Sequence, residues 1–387
     1  MDVTISDAVK YIGVDDTTID LFESQYVVPE GVSYNSYVIL DEKTAVMDTV
    51  DKRGMEEWEK NLLSALDGRK VDYLVVQHLE PDHAGSIARL VELFPEVTLV
   101  GNAKTFSMMP QFFDIPLEGH TLTVKEGDTL SLGEHTLSFV MAPMVHWPEV
   151  MVSYESKEKI LFSADGFGKF GALSKTEDDD WACEARRYYF NIVGKYGAPV
   201  QTLLKKASAL DIAMICPLHG PILKENLEYY LGIYNTWSNY QPEDRGILIA
   251  YASIHGNTAA AANKLADLLR EKGAEKVVVS DLAREDMAEV IEDAFRYDRM
   301  IVAAASYDGG VFPCMQDFLH HLQAKSYQKR KVGILENGSW APCAAKAMKG
   351  ILEGLKEVTL VEPVVTIRSV LKDSDLPELE KLADAML

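Results

Sequence analysis

Four side chains able to bind a metal stand within six residues, His78-Leu79-Glu80-Pro81-Asp82-His83, directly after the apolar stretch Tyr73-Leu74-Val75-Val76. Three more follow, each at or just past the end of an apolar, strand-like run. They are His146 in Met144-Val145-His146-Trp147-Pro148, Asp165 in Leu161-Phe162-Ser163-Ala164-Asp165-Gly166, and His219 in Ile215-Cys216-Pro217-Leu218-His219-Gly220. Strand ends gather along one edge of a sheet, so donors far apart in sequence meet there while the strands hold their geometry. A chain that spends seven donors on strand ends is thereby constrained to a fold in which those ends converge. Seven exceed the roughly four ligands of a lone zinc, whereas two ions sharing a bridging carboxylate use about six or seven. Asp165, midway in the order, is the natural bridge. Three carboxylates and four imidazoles without a cysteine suit iron or manganese as well as zinc.

A histidine outside such a pattern is ordinarily a hydrogen-bonded structural residue, and His120, His135, His320 and His321 are read that way. Glu80-Pro81-Asp82-His83 also fits the Glu-x-x-His pattern of di-iron helix bundles, but those bundles need two copies on long helices. The single copy here contains a proline and follows a strand. The spacing of the donors instead resembles the metallo-β-lactamase superfold, whose hydrolases and glyoxalases carry His-x-His-x-Asp-His at this turn and bind zinc. Here Glu80 stands in place of the second histidine. An oxygen ligand in that position is a feature of the flavodiiron proteins, where it goes with two irons. His78, Asp82, His83, His146, Asp165 and His219 match the rest of that family's ligand set.

Charge and composition narrow the function classes. With 60 acidic against 38 basic side chains the net charge is −22 and no basic patch offsets it, so nucleic acid is not an expected partner. No apolar run approaches the ~18 residues of a membrane helix, and the start, Met1-Asp2-Val3-Thr4-Ile5-Ser6-Asp7, has no leader pattern. Cys183, Cys216, Cys314 and Cys343 are widely spaced and read as reduced, mostly buried thiols of a cytoplasmic protein.

At 387 residues two domains are the natural expectation. Up to about residue 240 short strands mix with helices. Strand-like runs fall at Tyr37-Val38-Ile39-Leu40, Thr44-Ala45-Val46-Met47, Val97-Thr98-Leu99-Val100, Leu137-Ser138-Phe139-Val140 and Val150-Met151-Val152-Ser153-Tyr154, and helical periodicity at 55–66, 84–93 and 181–193. The polar stretch Gln241-Pro242-Glu243-Asp244-Arg245 reads as a linker, placing one domain over 1–242 and the other over 243–387. Beyond it five apolar strands alternate with helices, the pattern of a doubly wound parallel sheet. Such sheets bind ligands beyond the carboxyl ends of their strands at the switch point.

The loops at those ends are unusual. Ser253-Ile254-His255-Gly256-Asn257-Thr258 follows the first strand and enters a helix, so hydroxyls, backbone N–H groups and the helix dipole favour a phosphate there. Ser306-Tyr307-Asp308-Gly309-Gly310 follows the third strand, and Glu336-Asn337-Gly338-Ser339-Trp340-Ala341-Pro342 the fourth. Their glycines let backbone approach a flat ring, and Tyr307 and Trp340 offer faces for stacking. There is no Walker lysine motif and no Gly-x-Gly-x-x-Gly. This half resembles flavodoxin, which implies FMN.

Together the halves resemble the flavodiiron proteins over essentially the whole chain, with Tyr34-Asn35-Ser36-Tyr37 and Asp48-Thr49-Val50-Asp51 as further matching stretches. The resemblance implies an α/β and α+β chain: an αβ/βα sandwich of the metallo-β-lactamase kind, then a flavodoxin-like five-stranded sheet. It implies an enzyme with FMN and two irons that reduces dioxygen to water or nitric oxide to nitrous oxide. His78, Glu80 and His146 would hold one iron, Asp82, His83 and His219 the other, with Asp165 between. No rubredoxin or flavin reductase segment follows, so a separate donor is expected, a rubredoxin-like protein or a reduced deazaflavin. A head-to-tail homodimer, or a dimer of dimers, is the implied assembly. The competing reading is a zinc hydrolase with a flavodoxin appendage.

Overall fold

The computed structural model describes residues 3–176 and 181–387. The opening Met1-Asp2 of the leader-free reading lies outside them. Two compact units are present, one of 1–189 with 198–234 and the other of 190–197 with 235–387.

The first unit is a sandwich of two mixed sheets. One runs Val9–Tyr11, Tyr37–Leu40, Thr44–Met47, Tyr73–Val75, Thr98–Gly101, Thr121–Thr123, antiparallel at its first two pairings and parallel afterwards. The other runs Thr129–Ser131, Thr136–Met141, Met151–Glu155, Ile160–Phe162, Met214–Cys216, with only its last pair parallel. Val9, Tyr37, Ile39, Met47, Val75 and Val100 from the first sheet pack against Leu137, Phe139, Met151, Ile160 and Phe162 from the second, forming the core. Helix Met55–Leu66 turns Trp58, Leu62 and Leu66 inward at helical spacing and leaves its charged residues outside.

The second unit is a parallel sheet in the order Val277–Asp281, Asp244–Ala252, Tyr297–Tyr307, Lys331–Asn337. Two short strands, Thr359–Leu360 and Val365–Ile367, share its fifth position. Helices Asn257–Glu271 and Leu376–Met386 lie together over Ile249, Ile301 and Leu335. The order reverses between the first and third strands in sequence, which puts the loops at 253–258 and 306–310 side by side.

The sequence expectations differ from the structure at their edges. Asp244 and Arg245, read as linker, already belong to a strand, because Asp244 pairs with Tyr297. The helix expected over 84–93 is two pieces, Pro81–Ala84 and Ile87–Leu93. That expected over 181–193 passes from α-helix to a π-helical turn at Tyr189–Val193. Val311 closes the hairpin Tyr297–Tyr307/Gly310–Val311. Of the cysteines only Cys216 is buried, and none is in a disulfide. No helix of the described residues is long and apolar enough to cross a membrane.

Candidate functional site

The strand ends of the sandwich bring all seven predicted donors together. Asp82 and His83 sit on the turn Pro81–Ala84, whose leading proline fits the first position of a helix. Asp165 lies in the turn after Ile160–Phe162, where Ala164 and Phe167 both take positive φ. The donors form two groups, His78, Glu80, His146 with Asp165, and Asp82, His83, His219. Asp165 faces both. Its Oδ2 is 3.2 Å from His78 Nε2 and 3.2 Å from His146 Nε2, and its Oδ1 is 3.1 Å from His83 Nε2 and 3.8 Å from His219 Nε2. Glu80 Oε2 lies 2.9 Å from His146 Nε2 and 3.2 Å from His78 Nε2. Asp82 Oδ2 lies 3.3 Å from His83 Nε2 and 3.2 Å from His219 Nε2.

These spacings fit metal ions. Donors bound at ~2.1 Å to one ion stand ~3.0–3.4 Å apart on neighbouring coordination positions. Both oxygens of Asp82, both of Asp165, and the Nε2 atoms of His83 and His219 are buried without a hydrogen-bond partner. Coordination would satisfy them. Electrostatics agree. Burial opposes charge on these groups, yet Asp165 raises His78 well above the ordinary imidazole range, Asp82 and Asp165 raise His83, and Asp165 and Glu80 carry His146 up to about 9. Burial likewise opposes charge on Asp165 and Glu80, but the imidazoles hold both carboxyls well below their usual range. Protons stand here where cations would.

A second ring of residues fixes the donors. Glu149 Oε1 accepts from His78 Nδ1 at 2.8 Å and from Leu79 N–H at 2.9 Å, and the Ser33 carbonyl accepts from His219 Nδ1 at 2.7 Å. Both rings are thereby turned to present Nε2 inward. The matching stretches near the start of the chain belong to this ring. Asn35 Nδ2 donates to the carbonyls of Pro217 and Gly220 at 2.9 and 2.8 Å, and Tyr37 Oη donates to Pro217 O at 2.6 Å, holding the loop that carries His219. Asp48 accepts from Gln77 N–H, Gln77 Nε2 and His78 N–H, and Thr49 Oγ1 donates to His83 O. Burial pushes Asp48 up to about 6 despite the Gln77 bonds. Gly85 has no room for a side chain, since a Cβ would fall 2.6 Å from Pro81 O and 2.9 Å from Lys52 N. Glu149 and Ser33 carry no sequence signal of this role.

The rings of Phe22, Tyr34 and Tyr188 surround that of His219 at centroid distances of 5.5, 6.1 and 5.4 Å. A cleft of about 240 Å³ lined by Phe22, Glu23, Tyr34 and Arg53 opens onto Glu80 and Asp82. The other histidines stay apart from the cluster. His135 is buried, with Nδ1 2.7 Å from Asp41 Oδ2.

In the second unit a cleft of about 670 Å³ is lined by Ser253, Ile254, His255, Asn257 and Thr258, by Ser306, Tyr307, Asp308 and Gly309, and by Asn337, Gly338, Ser339 and Trp340. Of the residues predicted for it, Gly256 and Gly310 are not in the lining and act through backbone. Gly256 caps helix Asn257–Glu271 at φ 86, and Gly310 pairs with Tyr307 across the Asp308-Gly309 turn. Trp340 is 89% exposed and Tyr307 44%, leaving ring faces open at the cleft. Three predicted side chains also shape the loops. Ser253 Oγ accepts from Gly256 N–H, Ser306 Oγ accepts from the N–H groups of Cys343 and Ala344, and Asn337 bonds the Ser369 backbone through both ends of its amide. Ala305, Ala341, Cys343 and Ser369 complete the lining, and of these the sequence places only Ala341 in one of the three loops. Ser369 follows the second half of a split fifth strand, which periodicity over three residues does not reveal.

Comparison with known proteins accounts for both units. Residues 32–220 match the ODP family beta lactamase and residues 248–357 the flavodoxin domain. The chain is 30% identical to a nitric oxide reductase of Moorella thermoacetica, covering 98% of this chain and 96% of that protein. It is 28% identical to an anaerobic nitric oxide reductase flavorubredoxin of Vibrio vulnificus, over 88% of this chain and 70% of the relative. Among solved structures, rubredoxin oxygen:oxidoreductase from Desulfovibrio gigas superposes with a TM-score of 0.92 at 26% identity, covering 99% of this chain and 97% of that one. A flavodiiron protein from Giardia intestinalis shares the fold at a TM-score of 0.89 and 24% identity, over 100% and 96% of the two chains.

Proposed function

The chain belongs to the flavodiiron proteins, an oxidoreductase family, and on that premise we propose that it reduces dioxygen to water, nitric oxide to nitrous oxide, or both, at two irons fed by FMN. The observation that carries this reading is Asp165, whose two oxygens face two donor groups of matching composition. His78, Glu80 and His146 would hold one iron, Asp82, His83 and His219 the other. Glu80 supports iron over the zinc of the hydrolases, because it adds a hard oxygen donor where they carry a histidine. When bound, two ferrous ions and reduced FMN supply four electrons, enough to take dioxygen with four protons to two waters, while two electrons and two protons join two nitric oxides into nitrous oxide and water. The residues around the metals orient the donors, and the cleft between Phe22 and Arg53 leads small neutral molecules and protons to Glu80 and Asp82.

In the second unit the N–H groups at the start of helix Asn257–Glu271 and the hydroxyls of Ser253 and Thr258 would hold the FMN phosphate, and Tyr307 and Trp340 would offer their faces to its ring. The electron donor on this reading is a rubredoxin-like protein or a reduced deazaflavin. A head-to-tail dimer would set the FMN of one chain against the irons of its partner. The deciding experiment is metal and flavin analysis followed by anaerobic assay of the reduced protein against dioxygen and nitric oxide separately. Two irons and one FMN per chain with turnover of either gas is expected. Two tightly held zincs with hydrolase activity would overturn the proposal.

A further inference from the structure

Each donor group brings two imidazoles and one carboxylate, and Asp165 turns one oxygen to each. In the types of donor the two metal positions are equals. They differ one contact further out. His78 Nδ1 meets the buried carboxylate of Glu149, which also takes Leu79 N–H. His219 Nδ1 meets only the neutral carbonyl of Ser33, and His83 Nδ1 is buried with no hydrogen-bond partner. An anionic partner makes an imidazole a stronger donor and adds a negative charge that a carbonyl does not. Asp48 feels the charge of His83 through space, but its oxygens are bonded by the backbone and amide of Gln77 and the backbone of His78, so it orients neither ring as Glu149 orients His78. Asp165 leans the same way, at 3.2 and 3.2 Å from the rings of the first group against 3.1 and 3.8 Å from those of the second. We propose that the two metal positions are inequivalent, the one at His78, Glu80 and His146 holding its ion ~10–100-fold more tightly, with Glu149 as the positioning residue responsible.

The inference rests on the two-metal reading, and the test separates the two. Cobalt(II) binding is followed by its visible spectrum in the full chain, using His219→Ala to leave the first position and His146→Ala to leave the second. The expected result is a ~10–100-fold tighter cobalt in His219→Ala. Adding Glu149→Gln, which keeps an oxygen for both N–H donors while removing the charge, should weaken cobalt in His219→Ala and leave His146→Ala unchanged. Equal affinities in the two single variants, or equal weakening by Glu149→Gln in both backgrounds, overturns the inequivalence while leaving the two-metal reading intact. Absence of cobalt from both variants and from the unaltered chain removes the two-metal reading itself. Should Glu149→Gln fail to fold, the comparison of His219→Ala with His146→Ala still decides, since equal cobalt affinities in the two overturn the inequivalence.

Discussion

Asn35 links the beginning of the first unit to its last metal donor. Asn35→Ala removes the side-chain donor to the Gly220 carbonyl and leaves Pro217 O with Tyr37 Oη alone, at a cost of about 1–3 kcal/mol. The expected outcome is a lower denaturant midpoint for the metal-free protein together with faster loss of metal to a chelator. A second polar contact, between Asp41 and His135, predicts acid behaviour. Burial alone would raise Asp41, but His135 N–H and the His135 ring hold its carboxyl down to about 2. A carboxyl lowered from about 3.9 in the unfolded chain contributes stability that is complete above that value and is lost as pH falls towards 2. Metal-free Asp41→Asn should therefore lack part of the acid-induced loss seen in the parent between these values, measured by circular dichroism. Donor residues were legible in the sequence because chemistry restricts them to a few side chains. Their supports were not, because Ser33 acts through a carbonyl that every residue has and Glu149 is an ordinary acidic residue until the fold places it beside His78.

Gly256 and Ser306 show how the ends of elements make the flavin cleft. Gly256 stands at φ 86 before helix Asn257–Glu271, and a Cβ there meets no neighbour, so Gly256→Ala bears only the backbone penalty of about 1–2 kcal/mol. Part of that penalty falls on the phosphate loop, and weaker FMN with unchanged iron is the expected result by flavin fluorescence titration. Ser306→Ala removes the hydroxyl that receives the N–H groups of Cys343 and Ala344 at the start of helix Ala344–Leu352. It should lower stability by about 0.5–2 kcal/mol, as loss of a cap does. A long helix such as 55–66 follows from periodicity, since one buried face over several turns leaves a pattern. The split fifth strand and the Gly310–Val311 hairpin leave none, because two or three residues are too few to show a period and pairing partners decide their state.

At the scale of the molecule, the two candidate sites sit in units with separate hydrophobic cores. Asp165→Ala should lose metal and reductase activity while its flavin spectrum stays that of the parent. Asn257→Ala with Trp340→Ala should weaken FMN while metal analysis still finds iron. Loss of both cofactors in either protein would show that the units do not fold independently. The two-unit organisation was legible because the alternation of strand and helix changes character near residue 240, although the helix Leu227–Ser238 carries the chain from one unit to the other before the polar stretch begins. The order of the donors along the chain also bears on how the protein is made. His78 leaves the ribosome long before His219, and the loop that carries His219 is latched by Asn35 from near the start. A growing chain therefore cannot enclose a metal pair until synthesis of the first unit is nearly done. Metal loading belongs after that point, so nascent chains stalled before residue 219 should emerge without a stable metal pair.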